Sequence, residues 1–383
     1  MTNFISVSDV EDINALVDKA IFYKVNPLID IGLGAHKKIG LLFLNPSLRT
    51  RISTQVAAQN LGMEAIVFNV DKDGWALEFA EGAIMNGNTV EHIKDAAPVL
   101  GSYFDILCIR TFPSLQNREE DYAEKVISQF VKYAGVPIVS LESATLHPLQ
   151  SLTDIITMQE ELEGERSKVK GERVEGERVD GEWSMVNGER VEGERVKGER
   201  SKVKAERSKL KGEEAEQKAE GLEGKVGKPK IVLTWAPHIK PLPQCVANSF
   251  AQWMNAWNRS KEGGIDFVIT HPIGYTLDEQ FTKGATITHN QEEALKDADF
   301  VYIKNWSSFN NYGAMPEVKG DWMLTNEKLK ISNNAKVMHC LPVRRNVELS
   351  DELMDGPNSL VTQQGANRVW AAQAVLAEIL KTP

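Results

Sequence analysis

Phe43-Leu44-Asn45-Pro46-Ser47-Leu48-Arg49-Thr50-Arg51 reads as a strand that ends in a turn and opens at once into a helix, and the fold follows from that unit. The apolar run 39–44 feeds the turn at Asn45-Pro46, and residues 49–61 carry apolar side chains at helical spacing. A strand delivered straight into a helix start is half of a β-α-β unit. The free amides of such a start, the hydroxyls of Ser47 and Thr50 and the guanidinium of Arg49 suit a phosphate dianion. Taken alone, the segment fits equally well with N-capping by Ser47 and two merely exposed arginines.

The alternation continues outward. Runs 65–68, 106–110 and 137–140 read as buried strands, with helices at 120–133 and 148–161. Strands at 230–235, 267–270, 300–304 and 336–339 alternate with helices near 246–257, 291–298 and 367–380. The expected fold class is α/β, with two doubly wound parallel-sheet domains whose ligands sit beyond the carboxyl ends of the strands. Residues 1–147 are expected to form the first domain, and 148–161 with 229–365 the second. Residues 366–383 should be a helix that returns to the first.

Residues 162–228 stand apart. GERV starts at Gly171, Gly176, Gly188 and Gly193, and GERS at Gly164 and Gly198. Residues 163–228 hold 17 acidic and 17 basic side chains, a net-neutral polyampholyte with little apolar content to offset its ordering entropy. The segment is expected to be disordered or loosely helical. It reads either as an expanded repeat tolerated in a surface loop or as a partner-binding insert.

The 383 residues carry 44 Lys and Arg against 54 Asp and Glu, a net charge of −10, so nucleic acid is not an expected partner. A few arginines in a cleft can still oppose that field and take an anion. No secretory leader and no run long enough to span a bilayer are present, so a cytoplasmic, membrane-free protein is expected. Cys108, Cys245 and Cys340 are too few and too scattered for a disulfide framework or a structural metal.

Other strand ends add to the first. Arg110 ends the 106–110 run, His147 and Gln150 follow the 137–140 run just before a helix, and His339-Cys340-Leu341-Pro342 ends a strand of the second half. All fall at the sheet edge where α/β proteins bind ligands. Singly, His147 reads as a structural histidine and Arg368 as a surface charge; together they describe a cleft with two walls.

Ser47–Arg51, His147–Gln150 and His339–Pro342, in this order, resemble the signature of the aspartate and ornithine transcarbamylase superfamily over the whole chain except the repeat segment. The resemblance implies that Ser47, Leu48, Arg49, Thr50 and Arg368 hold the phosphoryl group of carbamoyl phosphate. It places Arg110, His147, Gln150, Cys340 and Leu341 at the carbamoyl group, with Arg49, Arg110, His147 and Gln150 the catalytic set. An amine attacks the carbonyl, preorganised donors stabilise the oxyanion and phosphate leaves, with neither cofactor nor metal implied. A thiol nucleophile at Cys340 is the less favoured reading.

The serine-methionine-glycine loop of ornithine-specific members is missing. In its place the proline-rich Trp235–Gln244 resembles the branch of the family that acts on N-acylated ornithine, in which the second domain is knotted. By that resemblance Glu142, His238, Lys304 and Arg344 line the acceptor pocket, while Trp75 and Val90 reach in from a neighbouring subunit of a homotrimer; Trp75 is also expected at carbamoyl phosphate. Lys304 and Arg344 suit a dianionic acceptor, and Val90, where acetyl-type members carry glutamate, does not repel a second carboxylate. Glu348 stands where acetyl-type members use a carboxylated lysine and points the other way. The expected acceptor is N-succinylornithine, with N-acetylornithine the alternative. A different class, a non-catalytic trimeric scaffold that recruits a partner through its repeats, is the rival.

Overall fold

The computed structural model describes residues 1–169, 228–261 and 263–382. Residues 1–160 and 228–383 form one compact unit and 161–227 another. The expectation of a disordered or loosely helical insert at 162–228 falls, apart from its two ends, outside the described residues.

Two parallel sheets carry the larger unit. In the first, β1 (Lys38–Phe43), β2 (Glu64–Asn69), β3 (Ile106–Arg110) and β4 (Ile138–Glu142) lie in the order β2-β1-β3-β4. In the second, β5 (Lys230–Trp235), β6 (Asp266–Thr270), β7 (Thr286–Thr288), β8 (Phe300–Lys304) and β9 (Lys336–Met338) lie in the order β9-β8-β5-β6-β7. Strands β1, β3, β4, β5 and β8 are buried almost throughout, which is why they read as continuous apolar runs and not as alternating ones. Each sheet has its own apolar cluster, one built on Leu42, Ile109, Phe130 and Ile138, the other on Val232, Val268, Ile303 and Val337.

Helix α1 (Ile13–Val25) precedes the first strand, and α2 (Arg49–Asn60), α3 (Ile93–Tyr103), α4 (Lys125–Tyr133), α5 (Pro148–Val169), α6 (Cys245–Ser260) and α7 (Val361–Lys381) follow strands. The single helix expected at 120–133 is two, Arg118–Tyr122 and α4, broken where Glu124 takes a left-handed conformation (φ 50°). That break turns the Glu124 carboxylate onto the loop ahead of His147, where it accepts from the amide and hydroxyl of Thr145 and the hydroxyl of Ser143 (2.7, 2.5 and 2.6 Å). The helix expected at 291–298 ends at Leu295, because Asp297 is also left-handed (φ 58°). Helix α7 begins ahead of the expected 367 and packs on α1 and α2, tied by Asn60 donating to Gln373 (2.9 Å) and Gln373 to the Pro27 carbonyl (2.7 Å).

Candidate active site

The carboxyl ends of both sheets open on one cavity of about 970 Å³. It is lined by the β1-α2 turn, the ends of β3 and β4, the start of α5, the proline-rich loop after β5, the end of β8, the turn after β9 and Arg368 on α7. Seven of the lining side chains are Arg or Lys (Arg49, Arg51, Arg110, Lys240, Lys304, Arg344 and Arg368) and one, Glu142, is a carboxylate. In a chain of net charge −10, that concentration of cations marks an anion site.

Helix α2 starts without a side-chain cap: its N-cap is Leu48, so Ser47 does not cap it and the first amides keep their donors. Arg49 Nε is buried with no hydrogen-bond partner among the described residues. Thr50 Oγ1, buried behind the turn, accepts from Arg110 Nη1 (3.2 Å) and Arg368 Nη2 (2.8 Å), so one hydroxyl fixes two guanidinium groups that come from opposite ends of the sequence.

Arg110 owes its direction to a register shift between β3 and β4 that sets it opposite Glu142. The pair forms a buried salt bridge of 2.6 Å, and the Arg110 guanidinium also lies 4.7 Å from the Phe112 ring centroid. Glu142 accepts a further contact from Cys245 Sγ (3.2 Å), and burial, together with Glu142, pushes that thiol well up.

His147 is buried with Nε2 3.1 Å from Arg368 Nη2. Arginine only donates, so Nε2 is the acceptor and the ring proton belongs on Nδ1. Burial, with Arg368 and Arg110 adding to it, holds this imidazole well below its ordinary value, so it is neutral at pH 7. Gln150, a turn into the same helix, donates to Asp154 Oδ1 at 2.7 Å.

The turn after β9 is strained where it meets the cavity: Leu341 is left-handed (φ 57°), a conformation that costs a non-glycine residue about 1–2 kcal/mol. His339 Nδ1 accepts from the Leu341 amide (2.9 Å) and steadies it. Burial raises the Cys340 thiol, which argues against a thiolate nucleophile. Arg344 Nε meets His238 Nε2 at 3.0 Å, which joins the proline-rich loop to this turn. That loop is itself held by Ser307, whose amide donates to the Leu242 carbonyl (2.9 Å). Lys304 ends β8, buried at the cavity wall.

Of the side chains singled out in the sequence, Ser47, Leu48, Arg49, Thr50, Arg110, Glu142, His147, Gln150, His238, Lys304, Cys340, Leu341, Arg344 and Arg368 all line this cavity. Trp75 and Val90 do not. They lie near each other on one excursion, where the Val90 amide donates to the Ala76 carbonyl (2.9 Å), and both are largely exposed. Glu348 does not line the cavity either: its carboxylate is buried, accepts from the Arg344 amide (2.7 Å) and faces His339 Nε2 at 3.6 Å. It holds the Arg344 turn from behind. Asp154, Glu124 and Cys245 escaped the sequence reading; Asp154 alone left a trace, four residues after Gln150 on one helix face.

Residues 2–160 match the aspartate/ornithine carbamoyltransferase carbamoyl-P binding domain, and residues 258–379 the Asp/Orn binding domain of the same family. The chain therefore belongs to the aspartate/ornithine carbamoyltransferase family. It is 36% identical, over all of its length and 99% of the relative's, to the N-succinylornithine carbamoyltransferase of Bacteroides fragilis. It is 30% identical to the N-acetylornithine carbamoyltransferase of Xanthomonas campestris over 96% of this chain and 94% of that one. The crystal structure of an N-acetyl-L-ornithine transcarbamylase superposes with a TM-score of 0.75 at 27% identity, covering 99% of this chain and all of the other. Variants of that enzyme with one glutamate replaced by valine or by proline are complexed with carbamyl phosphate and N-succinyl-L-norvaline.

Proposed function

We propose that the protein transfers the carbamoyl group of carbamoyl phosphate to N-succinyl-L-ornithine, giving N-succinyl-L-citrulline and phosphate, as a step of arginine biosynthesis. The observation that carries this reading is the cavity itself, in which seven cations and an uncapped helix start face a single carboxylate. Arg49, Thr50, Arg368 and the amides of Ser47 and Leu48 hold the phosphoryl group. Arg110, His147 and Gln150 take the carbamoyl end, as do the backbone groups of Cys340 and Leu341. The acceptor's side-chain amine attacks the carbonyl carbon, the bond from that carbon to the phosphoryl oxygen breaks, and the leaving phosphate carries away the amine proton. Arg49, Arg110 and the neutral His147 stabilise the charge that gathers on the carbonyl oxygen.

The acceptor half favours a dianion. Lys304 and Arg344 neutralise the α-carboxylate and the succinyl carboxylate, with His238 and Glu142 beside them. An acetyl group would leave one of these cations unmatched. Val90 agrees with the acetylornithine enzyme variants in which loss of a glutamate accompanies a succinyl ligand. Trp75 and Val90 act from a neighbouring subunit of a cytoplasmic homotrimer, which accounts for their exposure on the single chain. The proline-rich loop belongs to a knotted second domain, 148–161 with 229–365, set against a first domain of 1–147 to which 366–383 returns. Phosphate release from carbamoyl phosphate should require an acylated ornithine; release with none of the ornithines, acylated or free, contradicts the reading.

A further inference from the structure

Asp154 is completely buried and faces two carboxamides. Its Oδ1 accepts from Gln150 Nε2 (2.7 Å) and from Gln364 Nε2 (2.6 Å), while Oδ2 is buried and makes no close hydrogen bond among the described residues. Gln364 Oε1 in turn accepts from the backbone amide of His339 (2.9 Å). One carboxylate oxygen thus ties α5 to α7 and, through Gln364, to the end of β9. A carboxylate can only accept, so it draws the Gln150 amino group back into the protein. The Gln150 oxygen, buried and without a hydrogen bond among the described residues, is left as the free acceptor of a side chain that lines the cavity. A carbamoyl group carries an amino group that needs such an acceptor.

We propose that Asp154 is a positioning residue: it locks the Gln150 carboxamide with its oxygen toward the carbamoyl amino group. The assignment rests on the carbamoyl-transfer reading above. Asp154 touches no substrate; it acts through Gln150. The chemistry of the site agrees. Burial raises the Asp154 carboxyl to about 7, against the pull of Gln364, Gln150, Arg368 on α7 and Tyr302 on β8. A buried acid of that kind is costly to keep where an apolar side chain would pack, and its lock on Gln150 accounts for its place. A proton taken up on Oδ2 leaves Oδ1 accepting, so the lock holds on both sides of neutrality.

The test is a kinetic cycle on the full chain. Asp154→Leu fills the space without accepting and should lower kcat/KM for carbamoyl phosphate by at least about 10-fold, whereas Asp154→Asn, which keeps Oδ1, should stay within about 3-fold of wild type. The double variant Gln150→Ala/Asp154→Leu should be no worse than Gln150→Ala alone, because a residue acting through Gln150 has nothing left to position. Wild-type kinetics in Asp154→Leu, or losses that multiply in the double variant, overturn the proposal. Where thermal melting shows Asp154→Leu unfolded, Asp154→Asn decides: a loss as large as that of Gln150→Ala overturns it. Calorimetry separates this from the wider reading. Wild-type protein that binds no carbamoyl phosphate sinks both, and wild-type binding matched by Asp154→Leu sinks this proposal alone.

Discussion

Arg49 shows what a single residue contributes here. Its Nε is buried and makes no hydrogen bond among the described residues, which leaves that donor for an anion. Removing it should therefore cost binding more than stability: Arg49→Ala should weaken carbamoyl phosphate by about 100-fold in calorimetry, a loss of one charge-assisted pair, while its melting temperature stays close to wild type. Wild-type affinity in that variant contradicts the anion site. Arg49, Arg110, His147 and Gln150 were legible in the sequence because each stands at a strand end or helix start. Arg368 was not legible by position; only the family signature picked it out of a helix. Glu124 and Cys245 act on other side chains from within the fold, and no local pattern reports partners 21 and 103 residues away; of the two partners of Asp154, Gln150 is four residues off but Gln364 lies 210 away.

Strands and long helices were readable because burial on both faces writes continuous apolar runs, and β3, β5 and β8 match the expected limits. The break at Glu124 was not readable, since tertiary hydrogen bonds overrule a helical pattern there. Those bonds set the loop ahead of His147, so Glu124→Ala should destabilise the protein by about 2 kcal/mol in urea denaturation and lower kcat. An unchanged midpoint and rate would show that the loop holds its shape without Glu124. The β3-β4 register shift that aims Arg110 at Glu142 was equally hidden, because a shift of pairing leaves no mark in either strand alone.

At the scale of the molecule, residues 1–160 and 228–383 make one compact unit with the cavity inside it. A chain in which residues 163–228 are replaced by a short linker should accordingly turn over within about 2-fold of the full chain, since loop length changes closure entropy only slowly. Collapse of its activity in a steady-state assay would give the repeats a part in the reaction. The two-sheet plan was legible from the alternation of elements, whereas Trp75 and Val90 were singled out by the family resemblance alone and stand exposed, outside the cavity of their own chain. The proposed choice of acceptor draws on more than one scale, from Lys304 and Arg344 to the proline-rich loop that lines the same cavity. The direct measurement is kcat/KM for N-succinylornithine against N-acetylornithine under one set of conditions. A preference of at least about 10-fold for the succinylated acceptor, the worth of one matched charge, is expected; equal rates, or a preference for the acetylated one, would contradict the account.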